Sequence, residues 1–317
     1  MHCWLRLFAV LAVIAGCSGS GDNAPGNTNG RGDGAAPFGI ALDGSLQNGA
    51  WSPDSDTVVL TRFRDGYNEG AADIYTCSVE TKTLRLLVSD GSANVNLPGS
   101  CWSRAAGAIV FSSARDPHDE IFMINPAGSP GDEVRITGRD AFMAYEPSFS
   151  PDGQWIVFES HPVDVETQGV IMRHRLDGTV AYQALTGAAE DCRQPNWAPA
   201  GDMILYQKLT GGQWDVWIMN SDGTGKRQVT AGPGDKTDAS FSPDGEWIVF
   251  SSDQAGRTAN LYVSSIHGGA AIRVTDYDGY DGAPSWSSDW RIVFESCAGD
   301  PDGSAGTTLW VINTPDL

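Results

Sequence analysis

The stretch SFSPDGQWIVFES at 148–160 returns as SFSPDGEWIVFSS at 240–252, identical at eleven of thirteen positions and displaced by 92 residues. A chain that repeats itself in this way is built either from two duplicated halves or from a shorter unit used several times. Alignment on the aromatic residue that opens the motif gives Trp51, Trp102, Phe149, Trp197, Phe241 and Trp286, spaced by 51, 47, 48, 44 and 45 residues. The six openings read WSPDSDTVVL, WSRAAGAIVF, FSPDGQWIVF, WAPAGDMILY, FSPDGEWIVF and WSSDWRIVF. A second hydrophobic anchor follows the first after nine residues in five of them, and after eight in the last. The matching pair are therefore the third and fifth of six units.

Each unit carries the signals of four short strands. The opening aromatic closes a first strand, and S-P-D-G is a tight turn in which Pro presets φ, Asp caps through its side chain and Gly takes positive φ. WIVFES and its counterparts form a second strand. DIYTCSV, EIFMINP, GVIMRHRL, DVWIMNS, NLYVSSI and TLWVINT form a third, and TLRLLVS, EVRITG, AYQALTG, KRQVTA and AIRVTD a fourth. Four strands at a period near 45 predict an all-β chain, a six-bladed β-propeller of four-stranded antiparallel blades. The sixth unit lacks a fourth strand, so an N-terminal strand from 38–46 (FGIALDGSL) is expected to pair with the last blade and close the ring.

The S-F-S-P-D-G-x-W-I-V-F-x-S openings, followed by W-I-M-N-S-D-G and R-x-V-T, resemble the TolB-like propeller repeats, a WD-repeat-like family, over roughly residues 45–317. The resemblance implies the propeller fold. It also implies protein binding in the cell envelope, since propellers of this family bind a peptidoglycan-associated lipoprotein. Two other branches carry the same repeats: propellers attached to serine peptidases, and pectate-degrading enzymes. The sialidase box S-x-D-x-G-x-x-W does not fit, because Ser150-Pro151-Asp152-Gly153-Gln154-Trp155 lacks one residue of it.

The N-terminal MHCWLRLFAVLAVIAGC has Arg6, an apolar run over 7–15, then Gly16 and Cys17. That run falls short of the roughly 20 residues needed to span a bilayer and reads as a secretory signal. Val13-Ile14-Ala15-Gly16-Cys17 resembles the bacterial lipobox, which implies removal of residues 1–16 and lipidation of Cys17. Residues 17–37 read as a flexible tether and 38–317 as the propeller. The expected location is extracytoplasmic, on the periplasmic side of an outer membrane or on the cell surface, with the lipid as the only membrane contact. Export permits disulfides, and among Cys77, Cys101, Cys192 and Cys297 the pair Cys77–Cys101, on adjacent units, is favoured.

The formal charge of −20, with basic residues scattered singly, disfavours binding to a nucleic-acid backbone. Neither G-x-S-x-G nor H-E-x-x-H occurs, and a calcium loop counted from Asp276 of the acidic stretch DYDGYDGAPSW (276–286) would need ligands at its fifth and twelfth positions, where Tyr280 and Ser287 stand. No catalytic residue, metal or cofactor is therefore assigned, and Asp152 and Asp244 are read as turn residues. Strand direction puts the S-P-D-G turns on one face and the long loops 64–72, 114–119, 161–168, 253–258 and 297–306 on the other. Binding residues gather on such loops. The candidate binding face at the channel mouth comprises Tyr145, Glu146, Arg193, Gln194, Asp238 and Asp281. The expected function is a monomeric, non-catalytic scaffold for an envelope protein or peptide. The alternative is a carbohydrate-active propeller, either a glycan-binding module or a metal-dependent polysaccharide lyase.

Overall fold

A computed structural model describes residues 34–89, 95–97, 101–115, 118–139, 141–163, 165, 167–256, 258–302 and 306–317. The signal sequence and Cys17 lie outside the described residues. Every named strand pairs antiparallel with its neighbours, and the strands form six separate sheets. Blade 1 comprises Ser45–Trp51, Thr57–Phe63, Ala72–Ser78 and Leu84–Ser89. In blade 2 the inner position is held by two short pieces, Val95–Asn96 and Trp102–Ser103, each paired with Ala108–Ser113; Glu120–Ile124 and Val134–Arg135 follow. Blades 3, 4 and 5 open with Phe142–Phe149, Cys192–Trp197 and Lys236–Phe241, and each ends in a two-residue outer strand.

Blade 6 holds Tyr280–Trp286, Arg291–Cys297 and Thr308–Asn313, and its outer strand is Ala36–Pro37. The ring thus closes by an N-terminal strand, two residues ahead of the segment expected to supply it. Ala36 faces Val311 and Pro37 faces Trp310, and Phe38 N donates to Leu309 O at 2.8 Å. The shift has a packing cause. The Phe38 ring is buried in the cluster between blades 1 and 6, while Ser45 and Leu46 already belong to the inner strand of blade 1.

The S-P-D-G turns form as the motif dictates. Ser150 Oγ donates to Asp152 Oδ1 at 2.5 Å, and Asp152 Oδ1 accepts from Gln154 N at 3.0 Å. Ser242 and Asp244 repeat the arrangement, with Glu246 N as the second donor. Gly153 and Gly245 take φ of +67° and +76°. The one-residue deletion in the sixth unit is absorbed in this turn: Ser287 N reaches Arg291 O, where Ser150 N reaches Trp155 O.

The core lies between blades, where apolar faces of adjacent sheets meet. Five opening aromatics, Trp51, Phe149, Trp197, Phe241 and Trp286, are buried at these junctions. The expected Cys77–Cys101 disulfide is not present: both are buried thiols. Cys77 packs into the cluster shared by blades 1 and 6, with Val293 and Leu309. Cys101 packs into a different cluster, shared by blades 1, 2 and 3. Neighbouring units in sequence place these two thiols in separate cores.

Candidate functional site

Five inner strands share one irregularity. The register against the second strand shifts between Gln47 and Ala50, Tyr145 and Ser148, Arg193 and Asn196, Thr237 and Ser240, and Gly282 and Ser285. Each shift accommodates one extra residue, a β-bulge. Inside it Asn48, Glu146, Gln194, Asp238 and Ala283 take φ of 51°, 50°, 48°, 53° and 44°. Each stands three positions before its opening aromatic. The bulge turns these residues toward the propeller axis, where they line a cavity of about 40 Å³. Leu97 completes the wall, so that all six blades contribute to it.

The bulges are tied together across blades. Gln194 Nε2 donates to Asp238 Oδ1 at 2.7 Å, and Asp238 N donates to Gln194 Oε1 at 3.0 Å. Glu159, on the second strand of blade 3, accepts from Gln194 N of blade 4 at 2.9 Å. Glu295, its counterpart on blade 6, accepts from Asn48 N of blade 1 at 3.1 Å. Blades 3 and 6 stand opposite each other in a six-membered ring, so two glutamates brace the channel from opposite sides.

Their environments differ. Glu159 Oε1 lies 2.5 Å from His161 Nε2, and the other imidazole nitrogen lies 3.4 Å from Thr167 O. Burial pulls the His161 pKa down, but the Glu159 carboxylate outweighs it and leaves the imidazole above its ordinary value. Glu295 has phenols instead: Tyr67 and Tyr280 each donate to its Oε1 at 3.1 Å. Burial, reinforced by the Asp238 charge, lifts the Glu295 pKa to about 7 against the opposing pull of Asn48 N and the two hydroxyls. Glu146 is raised well above the carboxylate range by burial and by the charges of Glu159 and Asp238. Burial raises Asp238 as well, against donors that include Thr237 and Gln194. The channel is therefore rich in buried carboxyls that hold their protons and repel one another once ionised. Such a lining suits a ligand that brings hydrogen-bond donors or positive charge.

Of the six residues expected at the channel mouth, Glu146, Gln194 and Asp238 meet on the cavity wall. Tyr145 is buried one position earlier, its hydroxyl 3.0 Å from Met143 Sδ and its ring edge-on to His161. Asp281 is fully buried, and its backbone N–H donates to Ala259 O. Arg193 pairs with Asp191 at 3.0 Å and lies over the Trp214 ring. Asn48, Glu159, Glu295, Tyr67 and Tyr280 belong to the site without having been singled out from the sequence. The bulge position could have supplied Asn48, since it too lies three residues before an opening aromatic. Among the described residues, no group of three or more His, Cys, Asp or Glu is arranged to hold a metal ion.

A family model described as "TolB beta propeller domain" matches residues 40–214 and 208–299. The chain is 35% identical over 105 residues to the uncharacterized peptidase YuxL of Bacillus subtilis, covering 31% of this chain and 16% of that protein. It is 32% identical over 157 residues to the Tol-Pal system protein TolB of Francisella tularensis subsp. holarctica, covering 50% of this chain and 34% of that protein. Among solved structures, TolB from Acinetobacter baumannii superposes with a TM-score of 0.63 at 16% identity, over 83% of this chain and 65% of the other. The chain spans less than two thirds of each of these three proteins.

Proposed function

The chain belongs to the TolB beta propeller domain family, and on that footing we propose that it is an extracytoplasmic, lipid-anchored scaffold. It binds a protein or peptide of the cell envelope at the channel and performs no catalysis of its own. The observation that carries this reading is the axial cavity, walled by all six blades and presenting Glu146, Gln194 and Asp238 on strained bulges. Residues held at positive φ without being glycine cost stability and recur where geometry serves a site. A lysine, an arginine or an amino terminus of a partner segment supplies a positive charge that offsets the clustered acids Glu146 and Asp238. The relative named for the Tol-Pal system supports an envelope partner of that kind, and the resemblance of residues 13–17 to a lipobox supports the anchor.

The test is affinity capture from envelope extract, comparing the wild type with the double variant Glu146→Gln, Asp238→Asn. A protein retained by the wild type and weakened roughly tenfold or more in the variant supports the reading, that being the scale of losing charged contacts at an interface. Equal retention by both chains overturns it. The anchor has its own test. Replacing Cys17 with Ala shifts the protein from the membrane fraction to the soluble one, and persistence in the membrane fraction refutes lipidation there.

A further inference from the structure

Residues 64–71 extend the hairpin between the second and third strands of blade 1 on the loop face. Their internal bonds are few and long: Arg64 N to Ala71 O at 3.1 Å, Asp65 N to Glu69 O at 3.2 Å and Glu69 N to Gly66 O at 3.3 Å. The base is firm, because Arg64 Nη2 pairs with the buried Asp73 at 2.9 Å, and Arg62 joins it at 3.3 Å. The tip crosses the seam to blade 6. There Tyr67 meets Tyr280 edge-on, with ring centroids 6.1 Å apart and hydroxyls at 3.4 Å, and both hydroxyls reach Glu295. The seat is made for this. A Cβ at Gly282 would lie 2.0 Å from the Tyr280 hydroxyl, so glycine lets Tyr280 fold back along its own strand to the carboxyl. The other oxygen of that carboxyl holds Asn48 N, on the cavity wall itself.

We propose that residues 64–71 form a lid over the loop-face mouth of the channel, latched by Tyr67 and Tyr280 on Glu295 and released when that carboxyl is ionised. Its bearing on binding rests on the channel reading above; the lid itself does not. The groups that face Glu295 are the phenols of Tyr67 and Tyr280, the backbone N–H of Asn48 and, as the charged neighbour, Asp238 on the inner strand of blade 5. With Glu295 protonated, its proton has the phenol oxygens as acceptors, and the trio is satisfied without water. With Glu295 ionised, a buried charge faces a second acid, and lifting the lid hydrates it.

The sign follows from linkage. The closed state, with the carboxyl at about 7, holds the proton more tightly than an open state near the ordinary 4.5, so falling pH closes the lid. From those two values the opening constant rises about thirtyfold between roughly pH 5.5 and roughly pH 8.5.

Hydrogen exchange on the free full-length protein, corrected for intrinsic rates, reads this directly in segment 64–71 and at the Asn48 amide. Wild-type protection there falls tenfold or more across that pH range, while the second strands of the blades keep theirs. Glu295→Gln holds the lid at its acid-side protection at both pH values. Tyr67→Phe lowers lid protection at both. Protection independent of pH in the wild type, unchanged pH dependence in Glu295→Gln, or an intact lid in Tyr67→Phe each overturns the proposal. None of these readouts involves a partner, so failure of the capture experiment leaves them standing.

Discussion

Glu295 carries a cost that a titration exposes. Its folded-state pKa of about 7 lies above the ordinary 4.5, so the folded chain binds this proton more tightly than the unfolded one. The resulting stabilisation is full below about pH 4.5 and is lost as pH rises through 7, amounting to about 3 kcal/mol from a shift of this size. Urea unfolding of Glu295→Gln is therefore expected to show a shallower decline between about pH 5 and 8 than the wild type. The glycine beneath Tyr280 gives a second test. Gly282→Ala displaces the Tyr280 hydroxyl and costs about 1 kcal/mol, the worth of one hydrogen bond, whereas in a Tyr280→Ala background the same change costs little. Additive effects in that double-mutant cycle would break the link between the two positions. At this scale the sequence was legible where a repeat supplied a ruler. Glu146, Gln194 and Asp238 fall at one offset from the aromatic anchor. Glu159 and Glu295 were hidden inside apolar runs, because what they meet is the bulge of the next blade, a contact that periodicity along one strand does not encode.

The S-P-D-G turn is the element that recurs most visibly, and its aspartate acts locally. The Ser150 hydroxyl and Gln154 N hold the Asp152 carboxyl below its usual pKa. A depressed carboxylate contributes stability present above its unfolded value near 3.8 and lost as pH falls through the folded value. Asp152→Ala is expected to cost about 1 kcal/mol near neutral pH and nearly nothing near pH 2, measured by denaturant unfolding at each pH. The closing strand makes the opposite case, an element small enough to be supplemented by others. Ala36–Pro37 offers few backbone bonds, but the same seam is crossed by Trp51 Nε1 to Ser285 O at 3.1 Å, Ser55 to Ser288 at 2.7 Å and Thr307 N to Ser45 Oγ at 2.9 Å. Deleting residues 34–37 should therefore lower the melting temperature by several degrees while the radius of gyration from X-ray scattering stays that of a closed ring. An expanded particle would show the strand to be indispensable. Strand order could be read from six worn copies of one sentence. The register of the clip could not, because it depends on where Phe38 packs.

As a whole the molecule is held by its junctions. Apolar clusters bridge neighbouring blades, and Cys77, Cys101 and Cys192 are distributed among three of them instead of being joined. The melting temperature should accordingly be the same with and without reductant, and a thiol reagent should label Cys77, Cys101 and Cys192 only as fast as the protein unfolds. Rapid labelling of the native state, or a reductant-sensitive transition, would contradict this arrangement. Blade number and sheet order were legible because each unit repeats the same turn and the same anchors. The contents of the junctions were not, since they pair residues about 45 positions apart.

The clip also gives the particle a front and a back. Ala36–Pro37 runs antiparallel to Thr308–Asn313, so the chain enters at the end where Asn313 lies, beside the tight turns, and advances toward the loops at Phe38. The first described residues thus sit at the face of tight turns and capped aspartates, and the channel mouth with the hairpin that crosses it opens on the opposite side.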